Sequence, residues 1–436
     1  MSDAIARTFY RMIQKRRMLE WTTAAQAEKF RGSKFVDYVL RLRGELILSL
    51  VTIAIILAVQ PSSLSIALPF VLLWANSPVL TFVTGKPIPR RERIIPQFMI
   101  PVLRGYAREI WRYFETLVGE ETHWLPPDNF QETPDPLVAP RTSPTNIGFL
   151  LLSNIAAYDL GYIGAVEFVE RTEKTLNTLS HLKTFNGHLF NWYSTTSLEP
   201  LEPRYISTVD SGNLVAALMV VRQFALRFGL NLARSIEHRA QRHEGVRDTL
   251  HQFLLRAESS SEFGKNNREI LAKIKGLTAI ESHDARSNQQ LLEELQESLA
   301  AIQISGAERN DLGWWLDASR RVVATHIADF ERPQDIASRM VTISREAEAL
   351  YQEVDFQFLF HKKRGIFSIG FNVTNGQLDR SFYDLFASEA RLASFVAIAN
   401  GDVPQSHWFR MSRAMTSFGR RRVLLSWSGS MFEYLM

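Results

Sequence analysis

From Glu45 the chain reads ELILSLVTIAIILAVQ and then PSSLSIALPFVLLWANSPVLTFVTG, two apolar runs with almost no charge over roughly 40 residues. An uncharged stretch of this length has to be hidden in a large core or in lipid. The first run holds about 14 apolar residues, fewer than the roughly 20 that cross a bilayer upright, and Pro69, Asn76 and Pro78 interrupt the second. Soluble cores seldom contain two such helices in succession. Residues 44–84 are therefore expected to form a transmembrane or re-entrant hairpin with Gln60 to Ser65 as its outer turn; the alternative is a buried hairpin in a soluble helical domain. Arg11, Lys15, Arg16, Arg17, Arg41 and Arg43 precede the hairpin, and Lys86, Arg90, Arg91 and Arg93 follow it. Positive charge on both flanks places both on the cytoplasmic side of an inner membrane. The bilayer is then the first expected partner, with residues 1–43 as a basic cytoplasmic segment.

The rest of the composition mainly excludes. A chain of 436 residues can hold two or three domains, and a net charge of +4 is small for that length. It lacks the basic face and recognisable motif of a nucleic-acid binder, so no nucleic-acid partner is expected. Without cysteine there are no disulfides, thiolate metal sites or cysteine nucleophiles. The opening MSDAIARTFYRMIQKRR lacks the apolar core and cleavage site of a secretory signal, so export of the bulk of the chain is not expected.

Beyond the hairpin the pattern is mainly α. VLRGYAREIWRYFETLV has helical spacing, and LPPDNFQETPDPLVAPRTSPTN reads as an extended connector, so 85–140 is taken as a connector helix and Pro-rich linker. Ser143 and Gly161 are the start and stop signals of the next helix, and IGAVEFVERTEKTLNTLSHL is amphipathic with acids early. Residues 187–214 form a long loop between helices, within a unit spanning 141–234. Glu, Gln, Arg, Lys and Leu dominate 235–310, which reads as a polar helical arm, hairpin-like or coiled-coil-like. Residues 311–436 return to apolar helices and include a β-hairpin signal at Asn375-Gly376. The last residues stop in mid-pattern, as if a domain were truncated.

Glycine-rich phosphate loops, dinucleotide fingerprints, H-E-x-x-H and D-x-D are missing, and His238 and His243, five apart, fall on different helical faces. Neither metal nor cofactor is therefore expected. What remains is the loop GHLFNWYSTTSLEPLEPRYISTVDSGNL. Sugars stack their C–H faces on aromatic rings and require paired donors and acceptors at the rim. Trp192, Tyr193, Arg204, Tyr205, Asp210 and Asn213 fit a saccharide cleft. Equally, Asp210 or Ser211 could cap the following helix while Trp192 and Tyr193 belong to the core. Glycoside chemistry needs two carboxyl groups across the scissile bond, and Asp210, Asp384, Glu389 and Glu433 are the candidates. Glu389 precedes Arg391 and could be a helix-surface ion pair; Glu433 follows a Gly bracketed by serines that suggests a tight turn placing the following aromatics and the acid near a surface.

Together with that loop, the blocks RRMLEWTTAAQAE, TSPTNIGFLLLSNIAAYDLGYI, FSIGFNVTNGQLDRSFYDLFASEARLASFVAIANGDVPQSHWFRM and LLSWSGSMFEYLM resemble the cyclic β-1,2-glucan synthases over nearly the whole chain. The resemblance implies the last membrane helices and the first part of a middle, glucoamylase-like domain. That domain would be a partial (α/α)6-type helical barrel with a long helical insertion. Its implied activity is transglycosylation that closes linear β-1,2-glucan into a ring. A UDP-glucose-dependent transferase module and a phosphorylase module would be partners on the same protein. The resemblance puts Trp192, Tyr193, Arg204, Asp210 and Asn213 in the family's most recognisable block and Glu389 and Glu433 in the next two; Glu389 and Glu433 are then expected to be the acidic pair, with those loop residues, Tyr205 and Asp384 on the substrate. The alternative is a non-catalytic membrane scaffold that binds glucan or docks partner subunits.

Overall fold

The structure is a computed structural model that describes residues 8–10, 12–13, 35–85, 95–230, 239–259, 265–280, 285–304, 311–331, 333–419 and 421–435. The basic flanks Arg11, Lys15 to Arg17, Lys86, Arg90, Arg91 and Arg93, the block RRMLEWTTAAQAE and His238 lie outside these residues. Two compact units divide the chain, 1–94 and 95–436, and the second is mainly helical with a few small sheets.

In the first unit α1 (Phe35–Arg41) runs into α2 (Arg43–Val59) with a 59° bend. A single 3-10 turn, Pro61–Ser63, leads to α3 (Leu64–Ala75), which continues at 42° into α4 (Ser77–Gly85). α2 pairs with α3, and α1 with α4, where Phe82 packs edge-on against Phe35 and Tyr38 at ring distances of 5.5 and 5.4 Å. The two arms bury little between them: Ile47, Leu50, Val59, Ile66, Phe70 and Val83 are all exposed. Each bent arm is long and apolar enough to cross a membrane if it counts as one span.

The second unit opens with α5 (Met99–Leu117), followed by the short pairs β1 (Phe130–Gln131) with β2 (Leu137–Val138) and β3 (Arg141–Thr142). α6 (Pro144–Leu160) starts and stops as its sequence signals require: the Ser143 hydroxyl accepts from the Asn146 N–H at 3.2 Å, and Gly161 closes the helix at φ 82°. α7 (Ala165–His181) turns back against α6. The long loop carries β4 (Thr184–Phe185), β5 (His188–Leu189), β6 (Tyr193–Ser194) and β7 (Tyr205–Ser207), and it ends in α8 (Thr208–Leu230). Next come α9 (Arg239–Ser259), α10 (Lys265–Thr278), α11 (Ala285–Ala300), α12 (Asp311–Glu331) and α13 (Pro333–Gln352). The remaining elements are β8 (Phe360–His361), β9 (Ile366–Phe367), β10 (Gly370–Asn372), β11 (Gln377–Leu378), α14 (Ala390–Ala399), α15 (Ser406–Arg410), β12 (Met415–Phe418), β13 (Arg421–Leu424) and α16 (Phe432–Leu435).

α8 is the axis of this unit. It has the length and hydropathy of a membrane span, yet just over half of it is buried by α6, α13 and α14. Val215, Leu218 and Val221 meet Phe168, Met340 and Ile343 in the main core. Helices α9 to α12 enclose a second core around Phe253, Ile274, Leu292 and Trp315. The polar stretch 235–310 thus contributes three helices to a bundle that α12 completes. Its charged residues form the outer surface, while an apolar stripe faces inward.

Candidate functional site

The loop and three helix starts converge in the second unit. Asp210 lies in the first turn of α8, Glu389 immediately precedes α14, and Glu433 lies in α16. What brings α8 and α14 together is the absence of a side chain at Gly212: a Cβ there would lie 2.3 Å from the Ala393 Cβ. The third acid arrives through the last strand segment. The Trp427 N–H donates to the Ala387 carbonyl at 2.9 Å, and Ser426 bridges Ala387. Beyond that bridge the chain turns at Gly429 (φ 81°). The Ser428 N–H donates to both Glu433 carboxylate oxygens at 2.9 Å, and the Gly429 N–H to Oε2 at 3.0 Å. The tight turn expected from S-G-S thus exists, but it does not bring the acid to the surface: its N–H groups bind the carboxylate and Glu433 is only 1% exposed, whereas Asp210 and Glu389 are half-buried.

The electrostatics follow from this crowding. Burial lifts the Glu389 carboxyl above its usual range, and the Asp210 and Glu433 charges lift it further. A helix start would favour the anion at Glu389, but desolvation and two like charges outweigh it. Tyr383 shares the cluster. Burial raises its hydroxyl first, followed by the charges of Glu389, Asp210, Glu433 and Asp379, so it remains a protonated donor facing acids. Its ring lies 5.0 Å from that of Trp427, whose indole N–H donates to the Phe382 carbonyl at 3.2 Å.

The other expected residues divide between rim and core. Trp192 is half-buried with the Arg141 guanidinium 4.7 Å above its ring, and Arg141 is held by Asp128 at 2.9 Å. With the Asn191 amide turned to satisfy its neighbours, its nitrogen donates to Asp210 at 3.0 Å and its oxygen accepts from the Trp192 indole at 3.1 Å. This links the aromatic to the acid. The Tyr205 hydroxyl donates to Asp379 at 3.3 Å, and burial, then that carboxylate, raise it. Arg204 is exposed and paired with Glu202 at 3.1 Å.

Tyr193 is fully buried: its hydroxyl donates to the Lys183 carbonyl at 2.6 Å and accepts from the Phe190 N–H at 2.8 Å. Asn213 is buried and donates to the Thr145 hydroxyl at 3.1 Å, tying the starts of α8 and α6 together. Asp384 is exposed, is not among the acids acting on Glu389 or Tyr383, and engages through its backbone, accepting from the Ser412 N–H at 2.7 Å.

Sequence reasoning passed over Tyr383, Trp427, Asn191 and Asp379. All four lie in the stretches quoted above, but no spacing singles them out. The Asn375-Gly376 hairpin is real, β10 pairing with β11, and β10 also pairs with β7 so that Asn372 faces Tyr205. That pairing carries Asp379 and the chain leading to Tyr383 onto the loop. Among the described residues no group of three or more His, Asp or Glu side chains could hold a metal.

Two comparisons bear on this arrangement. A family described as a protein of unknown function, DUF3131, matches residues 105–263. A cyclic beta-(1,2)-glucan synthase, NdvB, of Rhizobium meliloti (strain 1021) is 36% identical over 460 aligned residues, which take in this whole chain and 16% of that protein's length. The chain thus spans about one-sixth of its relative, and by this end-to-end likeness it belongs to the cyclic β-1,2-glucan synthase family.

Proposed function

We propose that this chain is a membrane-anchored, glucan-handling segment that acts on linear β-1,2-glucan by retaining transglycosylation, the cyclisation step of such a synthase. The observation that carries this reading is the meeting of Asp210, Glu389 and Glu433 beside Tyr383 and Trp427. Glu389, whose carboxyl is raised by burial and then by Asp210 and Glu433, serves as the acid on the leaving glycosidic oxygen and as the base when the acceptor hydroxyl attacks. Glu433, oriented by two backbone N–H groups, serves as the carboxylate that forms the glycosyl intermediate. Asp210 with Asn191 orients a sugar hydroxyl, Trp192 and Trp427 offer stacking faces, and Tyr205 and Arg204 extend the rim. Ring closure rather than hydrolysis requires that a sugar hydroxyl occupy the acceptor position and water be excluded.

The helical unit is read as part of an (α/α)6-type barrel, with α6, α8 and α14 among its inner helices. The hairpin 44–84 is read as its anchor in the inner membrane, with the soluble unit on the cytoplasmic side. A hairpin whose outward faces are apolar supports this. The transferase and phosphorylase activities of a whole synthase would be the work of its other modules.

The test is to incubate the detergent-solubilised chain with linear β-1,2-glucan and follow products by mass. Cyclic or redistributed glucans, lost in Glu389→Gln and in Glu433→Gln, are expected. Glucan that is bound but unchanged, with binding weakened by Trp192→Ala, would replace this reading with that of a non-catalytic scaffold.

A further inference from the structure

The amphipathic pattern of α5 is turned inside out. Its inward face carries Arg104, Arg108 and Trp111. Arg104 pairs with Asp248 at 2.7 Å and Glu244 at 3.2 Å, while Arg108 pairs with Glu115 at 2.9 Å and donates to the Thr249 hydroxyl at 2.8 Å. The outward face of the first half of the helix and the residues leading into it carries Phe98, Val102, Tyr106 and Ile110 at four-residue intervals, flanked by Ile95 and Leu103. All are exposed, Phe98 at 75%, Tyr106 at 64% and Ile110 at 65%. Helices that face water show the opposite order. The ion pairs to α9 prevent α5 from rolling over to hide the stripe, so the stripe needs an apolar medium outside.

Three features point to lipid as that medium. The stripe is confined to the end of α5 that follows the apolar hairpin after only a short interval of sequence. That interval holds Lys86, Arg90, Arg91 and Arg93, which complement anionic headgroups. Across a cleft of about 460 Å3 from Pro101 and Gly105, the wall formed by α9 and α10 presents Arg247, His251 and Lys275 together with the half-exposed Leu255; Glu258 pairs with Lys275 at 2.9 Å, and Asp248 is engaged by Arg104.

We infer that the first half of α5 is an interfacial helix, lying along the bilayer surface with Phe98, Val102, Tyr106 and Ile110 in the headgroup and acyl boundary. It holds the helical unit against the membrane at a second place besides the hairpin. The inference rests on the reading of 44–84 as a membrane anchor, and the test separates the two.

Because the chain has no cysteine, single replacements can be labelled uniquely. Tyr106→Cys and Phe98→Cys in the full chain, reconstituted into vesicles of phosphatidylethanolamine and phosphatidylglycerol, receive an environment-sensitive label. Ile55→Cys in the hairpin and Ser180→Cys on the exposed end of α7 are the lipid and water references. Expected is strong quenching at 98 and 106 by bromolipids and loss of most quenching by iodide relative to position 180. Iodide quenching at 98 and 106 equal to that at 180, with 55 quenched by bromolipid, overturns the interfacial helix and leaves the anchor standing. Protection from both quenchers means that protein covers the stripe and also overturns it. Iodide access at 55 as well would remove the anchor reading itself.

Discussion

Replacing Gly212 by alanine tests whether the α8–α14 contact sets the geometry of the acids. A Cβ at Gly212 would lie 2.3 Å from the Ala393 Cβ, 2.5 Å from its Cα and 2.8 Å from its nitrogen. Ordinary contact begins near 3.4 Å, so the helices must part by about 1 Å. Two of the three blocking atoms are backbone and cannot rotate away. Overpacking of this kind costs about 1–3 kcal/mol, and a misplacement of about 1 Å between reacting groups lowers turnover by roughly 100-fold. Gly212→Ala is therefore expected to lower the free energy of unfolding by that amount and, on the proposed activity, to remove most glucan turnover. Adding Ala393→Gly removes the nearest blocking atom and should restore part of the stability, a coupling that a double-mutant cycle reads directly. Gly276→Ala is the control: it is an exposed helical glycine whose Cβ would meet nothing within 4 Å, so it should gain about 0.5–1 kcal/mol. If Gly212→Ala unfolds with the parent and turns glucan over as fast, the helices are free to separate and the contact does not position Glu389.

Arg108→Met removes the nearer of two cations from the Glu115 carboxylate, whose side chain is 5% exposed, and leaves Arg321 at 3.2 Å. Because one cation remains, the expected loss is at the lower end for a broken buried pair, about 3 kcal/mol in denaturant unfolding, part of it recovered by Glu115→Gln. His188 is buried, its ring accepting from the Ser211 hydroxyl at 2.8 Å and donating to the Asp355 carbonyl at 2.8 Å, and burial lowers its pKa from 6.5 to about 4. The unfolded chain then takes up a proton before the folded one does. Stability falls as pH drops from 6.5 toward 4, by up to about 3 kcal/mol; in His188→Leu this segment of the stability–pH curve should flatten. Glu389 has the opposite sign. Its pKa is raised, so its contribution to stability is present below the unfolded value and is lost as pH rises through the folded one. Asp210→Asn removes one of the charges that raise it, and a carboxyl NMR titration should show the Glu389 midpoint moving down; an unmoved midpoint would mean the two acids do not interact.

Much of this protein is written locally. Ser143 and Gly161 delimit α6 because a cap needs only its own side chain or its own φ, and Asn375-Gly376 bends the chain into a hairpin on the same terms. The loop declares itself by aromatic, amide and acidic residues without helical period, although its expected end, 208–214, is already the first two turns of α8; Asp210, Glu389 and Glu433 are each legible as acids in unusual settings. Their meeting is not legible, because it depends on contacts across long stretches of sequence: Gly212 against Ala393, Trp427 on Ala387, and β7 on β10. Nor does the sequence say which aromatic faces the cleft. Trp192 and Tyr193 are neighbours, yet one lies half-buried under Arg141 while the hydroxyl of the other is used up by main-chain groups inside the core. The polar stretch 235–310 illustrates the same limit: composition shows its outer surface, whereas a core shared with α12 exists only once the helices pack. Residue identity determined the chemistry available to this chain. Tertiary packing decided which groups share one desolvated space, because burial and mutual charge, which raise Glu389 and Tyr383, are properties of distance in the folded chain rather than of order along it.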